Sequence, residues 1–345
     1  MHLPISWLAN RDHSGIARWH LRWRDDLEEV VVKGFPKALH TRRIYTGESL
    51  RYLRNPNAPE SQATIPVASP DQALFEALIM ERVMAGQGFL AHPLGVSHVR
   101  ILADGQLAVH LDAPERDMRH GPLDETMAQH LLPCGEPGEW FCGVAGLRVV
   151  AVEGSSLTIG MAGTTARLIL IAHTGWTKWL ARKKKSAIAL GELPLWEAPG
   201  ITAGELESIP PQIRRLAWLG SGLLRRIALF HNVGNAYWVK GWTMGDHWKI
   251  EMFIHPDLDP GHDNFVDWLT LPPYGLSLQS EYRSCTCNRS VGHLRGCWQE
   301  LTHRDDPQAG VLQLRFHMSD VGIRWGRRLA DSGARSSWLS RTGLS

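Results

Sequence analysis

Cysteine is scarce, with five residues in 345. An odd number this small does not build a disulfide scaffold and fits a reducing compartment, so a cytoplasmic protein is expected. No apolar run approaches the roughly 18–20 residues that a membrane span needs. The longest, Leu168 to Ala172, is strand-sized, and no membrane association is expected. Met1 to Trp7 lack the basic and long apolar stretches of a secretory signal. Motifs with an established mechanism are also missing. There is no H-E-x-x-H, no G-x-S-x-G elbow, no phosphate loop with its lysine, and no G-x-G-x-x-G after a strand. Lysine is rare beside arginine, 8 against 29, so the cationic surface is built from planar guanidinium forks that suit phosphate and stack on rings. A GC-rich coding bias would give the same ratio.

What is present describes an ordinary globular chain. Hydrophobic residues make up 43% and charged residues 21%, too apolar and too lightly charged for wholesale disorder. The formal net charge is only +2, yet it is unevenly spread. Basic segments at 1–54, 176–226 and 283–345 alternate with acidic ones at 55–175 and 227–282. The basic segments are interleaved with tryptophan, as in 18–24, 176–185 and 324–328. Cations beside aromatic platforms suit single-stranded nucleic acid, and they equally suit arginines lying over a core-edge ring.

The patterning predicts an α+β fold of antiparallel hairpins with a few isolated amphipathic helices, in two subdomains. Residues 18–24 alternate as a strand, with 30–33 as its partner. Ser69-Pro70-Asp71 opens a helix whose apolar face is Leu74, Phe75, Leu78, Ile79 and Val83. A hairpin follows over His98 to Leu111, turning at Asp104-Gly105. Residues 113–140 read as irregular. Strands are expected near 146–152, 156–161 and 166–172, then one helix from Gln212 to Phe230 with a kink at Gly220 and Gly222. A hairpin over Tyr237 to Ile254 and a strand over Val311 to His317 complete the pattern. The expected organisation is an N-terminal α+β domain over 1–190 and a Pro-rich linker over 191–211. A C-terminal α+β domain carrying a Cys/His cluster fills 212–332, and 333–345 form a tail. No internal repeat at a fixed period is visible.

Two constellations have the residue types that chemistry needs. Cys285, Cys287, His293 and Cys297 place three thiols and an imidazole within thirteen residues, a tetrahedral set for Zn²⁺. The composition resembles that of a nucleic-acid-binding zinc knuckle, but C-x-C-x5-H-x3-C departs from the usual spacing; His303 is another possible ligand, and a loop of free thiols is the alternative. His255, Asp257, Asp259, His262 and Asp263 follow a strand directly and suit a hard cation such as Mg²⁺, as in metal-dependent hydrolases. An acidic surface turn, shaped by Pro256, Pro260 and Gly261, is the plainer explanation. Cys134 and Cys142 lack a redox spacing and are expected to be simply buried.

The leading expectation is a nucleic-acid-binding protein, DNA or RNA, acting as a subunit of a ribonucleoprotein or of a mobile-element or defence complex. Arg18, Arg22, Arg24, Arg182, Lys183, Lys184, Lys185, Arg214, Arg215, Arg225, Arg226, Arg327 and Arg328 are the candidate phosphate contacts. A nuclease-like hydrolase using the 255–263 loop and a scaffold or virion component without chemistry are the rivals.

Overall fold

The computed structural model describes residues 37–53, 64–85, 92–112, 123–136, 140–234, 236–254, 262–280 and 295–318. The chain starts with helices α1 (Lys37–Thr46), α2 (Leu50–Leu53) and α3 (Pro70–Met84). The hairpin β1 (Val96–Ile101) and β2 (Leu107–Leu111) follows, then α4 (Leu123–Leu131) and the short strands β3 (Cys134–Glu136) and β4 (Trp140–Cys142). A meander β5 (Leu147–Glu153), β6 (Ser156–Met161) and β7 (Arg167–Ile171) leads into α5 (Trp176–Ala189), β8 (Leu193–Pro194) and α6 (Ala203–Ser208). Helices α7 (Ala217–Leu224) and α8 (Leu229–Asn232) precede the hairpin β9 (Trp238–Met244) and β10 (His247–Ile254). Helix α9 (His262–Thr270) and strands β11 (Leu278–Ser280), β12 (Arg295–His303) and β13 (Val311–Met318) end the described chain.

The architecture is α+β, with three mostly antiparallel sheets. The two large sheets share one topology. In the first the strand order is β1-β2-β7-β6-β5, in the second β9-β10-β13-β12-β11. Each contains a hairpin, then a helix (α4 or α9), then three strands. The last of these returns parallel to the second strand of the hairpin, β7 on β2 and β13 on β10. Equivalent strands lie about 140 residues apart, β2 starting at Leu107 and β10 at His247. This topological repeat was not visible as a sequence period. A shared topology requires only the same succession of hairpin, helix and strands, not the same residues.

Helix α3 begins at Pro70, as the Ser-Pro-Asp signal predicts, but it is not one-faced. Every residue from Gln72 to Met80 is buried. The helix touches both large sheets: Gln72 exchanges hydrogen bonds with the Arg167 backbone of β7, and Glu81 accepts from the Thr243 hydroxyl of β9. Helix α7 packs along it. A helix covered on all sides shows no amphipathic stripe.

The single helix expected over 212–230 is instead a 3₁₀ turn (Pro211–Arg214), α7 and α8. Gly220 and Gly222 lie inside α7 without breaking it. They are contact points: a Cβ on Gly220 would lie 2.4 Å from the Trp248 ring of β10 and 2.7 Å from Ala77 Cβ of α3. Trp248 is fully buried and has no room to yield. Gly220→Ala is therefore expected to lower the unfolding free energy by about 1–3 kcal/mol, measured by urea denaturation.

The stretch 191–211, read as a linker, is folded onto the first sheet. Its β8 joins β3 in the small sheet, and Trp196 is buried. Thr202 and Glu205 form a reciprocal capping box on α6. Glu205 also takes two hydrogen bonds, each 2.8 Å, from Arg148 of β5. Residues 113–140, read as irregular, contain α4, β3 and the start of β4. The expected strands at 18–24 and 30–33 lie outside the described residues.

Candidate functional site

The outer face of the second sheet carries an ordered array of rings and charges. Alternation along β9 puts Trp238, Lys240 and Trp242 on one side. The pairing registers extend this into three rows across four strands. Trp238 faces Phe253, His317 and then Gly296. Lys240 faces Glu251, Arg315 and Trp298. Trp242 faces Lys249, Gln313 and Glu300. Trp238 stacks on Phe253 at 4.6 Å between ring centroids, and Phe253 on His317 at 5.0 Å. The Arg315 guanidinium lies 5.6 Å from the Trp298 ring centre and 5.8 Å from that of Trp242. Lys240 lies 5.8 Å from Trp238 and 5.9 Å from Trp242. Trp298 is 60% exposed, and the other rings of the array are half-buried.

Glu251 organises the centre of this face. Its carboxylate lies 2.7 Å from Lys240 Nζ, 3.3 Å from Arg315 and 3.6 Å from His317. Burial alone would raise its pKa, but Lys240, His317 and Arg315 together hold it below the ordinary carboxylate range. The two cations are thereby fixed beside the rings. The first sheet, of identical topology, has Thr158, Ile169, Ala108 and Arg100 in one row across its strands, without a tryptophan. The row beside it holds the stacked His98 and His110 rings.

A second feature is a cavity of about 460 Å³ between α7, the segment 65–73, the segment 275–277 and His303. Arg214, Arg215, Arg225 and Arg226 line it together with Trp218 and Ser221. Of the cations proposed from sequence, Arg214 and Arg215 are exposed, but Arg225 and Arg226 are buried. Arg225 grips Glu76 of α3 with Nε at 2.8 Å and Nη2 at 2.7 Å. Arg226 is held by the carbonyls of Tyr274, Gly222 and Gly275. These two are corrected as surface contacts for a polymer backbone. Both lie on the packed side of their helical turns.

On α5, Arg182 pairs with Glu125 and Lys184 with Glu197, both at the surface. Lys183 is half-buried and Lys185 exposed. Arg18, Arg22, Arg24, Arg327 and Arg328 lie outside the described residues, as do Cys285, Cys287, His293, His255, Asp257 and Asp259. Cys297 is buried on β12. His262 and Asp263 start α9, with Asp263 exposed. Among the described residues no group of three or more His, Cys, Asp or Glu is placed to hold a metal, and neither ligand set is described as a whole.

Two further clusters were not read as functional from the sequence; of the two cysteines expected to be simply buried, Cys134 is buried and Cys142 half-buried. Cys134 and Cys142 are directly opposed on β3 and β4, with Sγ atoms 3.0 Å apart. The hydrogen bond from Cys134 holds the Cys142 thiol below the ordinary thiol range. His92 bonds Asp112 through both its backbone amide and ring Nδ1, the arrangement that orients a general base. The neighbouring Ser97 hydroxyl is engaged by His98 and the His110 carbonyl. Three of the seven members of the array, Trp238, Lys240 and Trp242, alternate along one strand of the expected hairpin, a signal the sequence reading did not single out. Phe253, Trp298, Arg315 and His317 join them only through strand register. No protein family, curated protein or solved structure matches the chain.

Proposed function

We propose that this chain binds single-stranded nucleic acid on the outer face of its second sheet, as a cytoplasmic component of a nucleoprotein complex. The observation that supports this is the in-register array of Trp238, Trp242, Trp298, Phe253 and His317 around Lys240 and Arg315. Rings presented from a sheet accept unstacked bases whatever their sequence, because every base has a π-face. Within the three rows the cations Lys240, Lys249 and Arg315 are offset by the carboxylates Glu251 and Glu300, so stacking outweighs phosphate neutralisation.

The test is fluorescence anisotropy with a labelled oligothymidylate or oligouridylate. Trp298→Ala, at an exposed position, is expected to weaken binding about 5- to 150-fold, the effect of losing one base–ring stack. Three cations on the face limit the log–log salt slope to about −2. Unchanged affinity in both Trp298→Ala and Trp242→Ala would rule this face out. A much steeper slope would point to the arginine segments elsewhere.

A further inference from the structure

We propose that the arginine-lined cavity beside α7 is a separate binding site for a phosphomonoester of nucleotide size. The cavity, at about 460 Å³, falls within the range of small-molecule sites. Among the described residues, its lining contains four arginines and no carboxylate. Glu76 neutralises Arg225 from behind through two hydrogen bonds. Arg226 has no such partner among the described residues. The residue is only 6% exposed, and its guanidinium rests on three carbonyl oxygens, which satisfy donors without cancelling charge.

A buried cation without a counter-ion is costly to hold, and arginine does not relieve the cost by losing its proton. Burial, reinforced by Arg225 against the opposing effect of Tyr45, lowers its pKa only to about 10, so it stays charged at neutral pH. An anion entering the cavity would supply the missing counter-charge, with Arg214 and Arg215 as exposed, bidentate partners. Ser221 contributes no donor, since its hydroxyl is given to Glu76. His303 accepts the amides of Asp305 and Asp306 on Nδ1, so its neutral ring carries its proton on Nε2 as a further donor. Ile65, Pro66, Trp218 and Leu276 provide apolar wall for the organic part. A doubly charged phosphate matches the surplus of guanidinium groups better than a single carboxylate.

The experiment is isothermal titration of the whole chain with adenosine monophosphate, inorganic phosphate, adenosine and citrate. Adenosine monophosphate is expected to bind, phosphate more weakly, and adenosine not measurably. Arg215→Ala and Arg214→Ala, both at exposed positions, are each expected to weaken the nucleotide about tenfold or more, the loss of a charge-assisted hydrogen bond. Arg215→Lys should recover part of that loss. Trp298→Ala should leave this titration unchanged while impairing oligonucleotide binding, which separates the cavity from the sheet face. The proposal is overturned if adenosine binds as well as its phosphate, if citrate alone binds, or if no probe binds. It is equally overturned if the two arginine variants titrate like the wild type, or if only Trp298→Ala removes the nucleotide.

Discussion

Glutamine in place of Glu76 is expected to lower the unfolding free energy by about 3–5 kcal/mol, the usual consequence of removing one partner of a buried ion pair. Glu76 is fully buried in α3, and both its oxygens are doubly used. Oε1 accepts from Gln72 and Arg225 Nη2, and Oε2 from Ser221 and Arg225 Nε. Glutamine keeps the shape but substitutes a donor for one acceptor and removes the charge. Two guanidinium groups on consecutive residues, Arg225 and Arg226, would then lie buried without a carboxylate. The double variant Glu76→Leu with Arg225→Met removes both charges and is expected to be much less destabilised than Glu76→Gln, because the desolvation penalty vanishes with the pair. Urea denaturation of the three proteins decides the matter. A loss below about 1 kcal/mol in Glu76→Gln would mean that water reaches the pair, since exposed pairs contribute only that much.

This pair also shows why part of the molecule was unreadable from sequence. Both hairpins, the first meander and β13 announced themselves by local signals: alternating side chains and Gly-containing turns at Asp104-Gly105 and Gly245-Asp246. Helix α3 declared its start at Ser69-Pro70-Asp71. What a helix is packed against is not written in its own residues. Arg225 and Arg226 look like the arginines of a solvated helix face. Their burial depends on Glu76, 149 positions away, and on the carbonyls of Tyr274 and Gly275. The sheet face fails to declare itself for the same reason. Trp242 and Trp298 are brought to one guanidinium, that of Arg315, by the register of four strands. The stretch 191–211 misled through its prolines, which here frame a 3₁₀ turn and a capped helix rather than a free connection.

Acidification is expected to destabilise the protein well before its carboxylates titrate. His98 and His110 stack at 3.9 Å on the β1–β2 hairpin. Burial, then Arg100 and His92, lowers the His98 pKa to about 4. Burial, then His98, Arg100 and His173, lowers that of His110 to about 3. In the unfolded chain both return to about 6.5. Above that pH neither state binds the protons and stability is flat. Below it the unfolded chain takes up two protons that the folded chain refuses, so stability falls as pH drops. The limiting slope is about 2.7 kcal/mol per pH unit for two such groups. Both rings keep partial solvent contact, so roughly half of that is expected. Glu205 and Glu251 are held below 4.5 by their cationic partners and lose their contribution only under that value, which leaves the window from about 4.5 to 6.5 to the histidines. Urea midpoints measured at pH 7.5, 6 and 5 should therefore fall steadily below 6.5. His110→Gln removes one titrating ring and should make that fall about half as steep. An equal slope in the variant would mean that the stacked pair is not what refuses the protons.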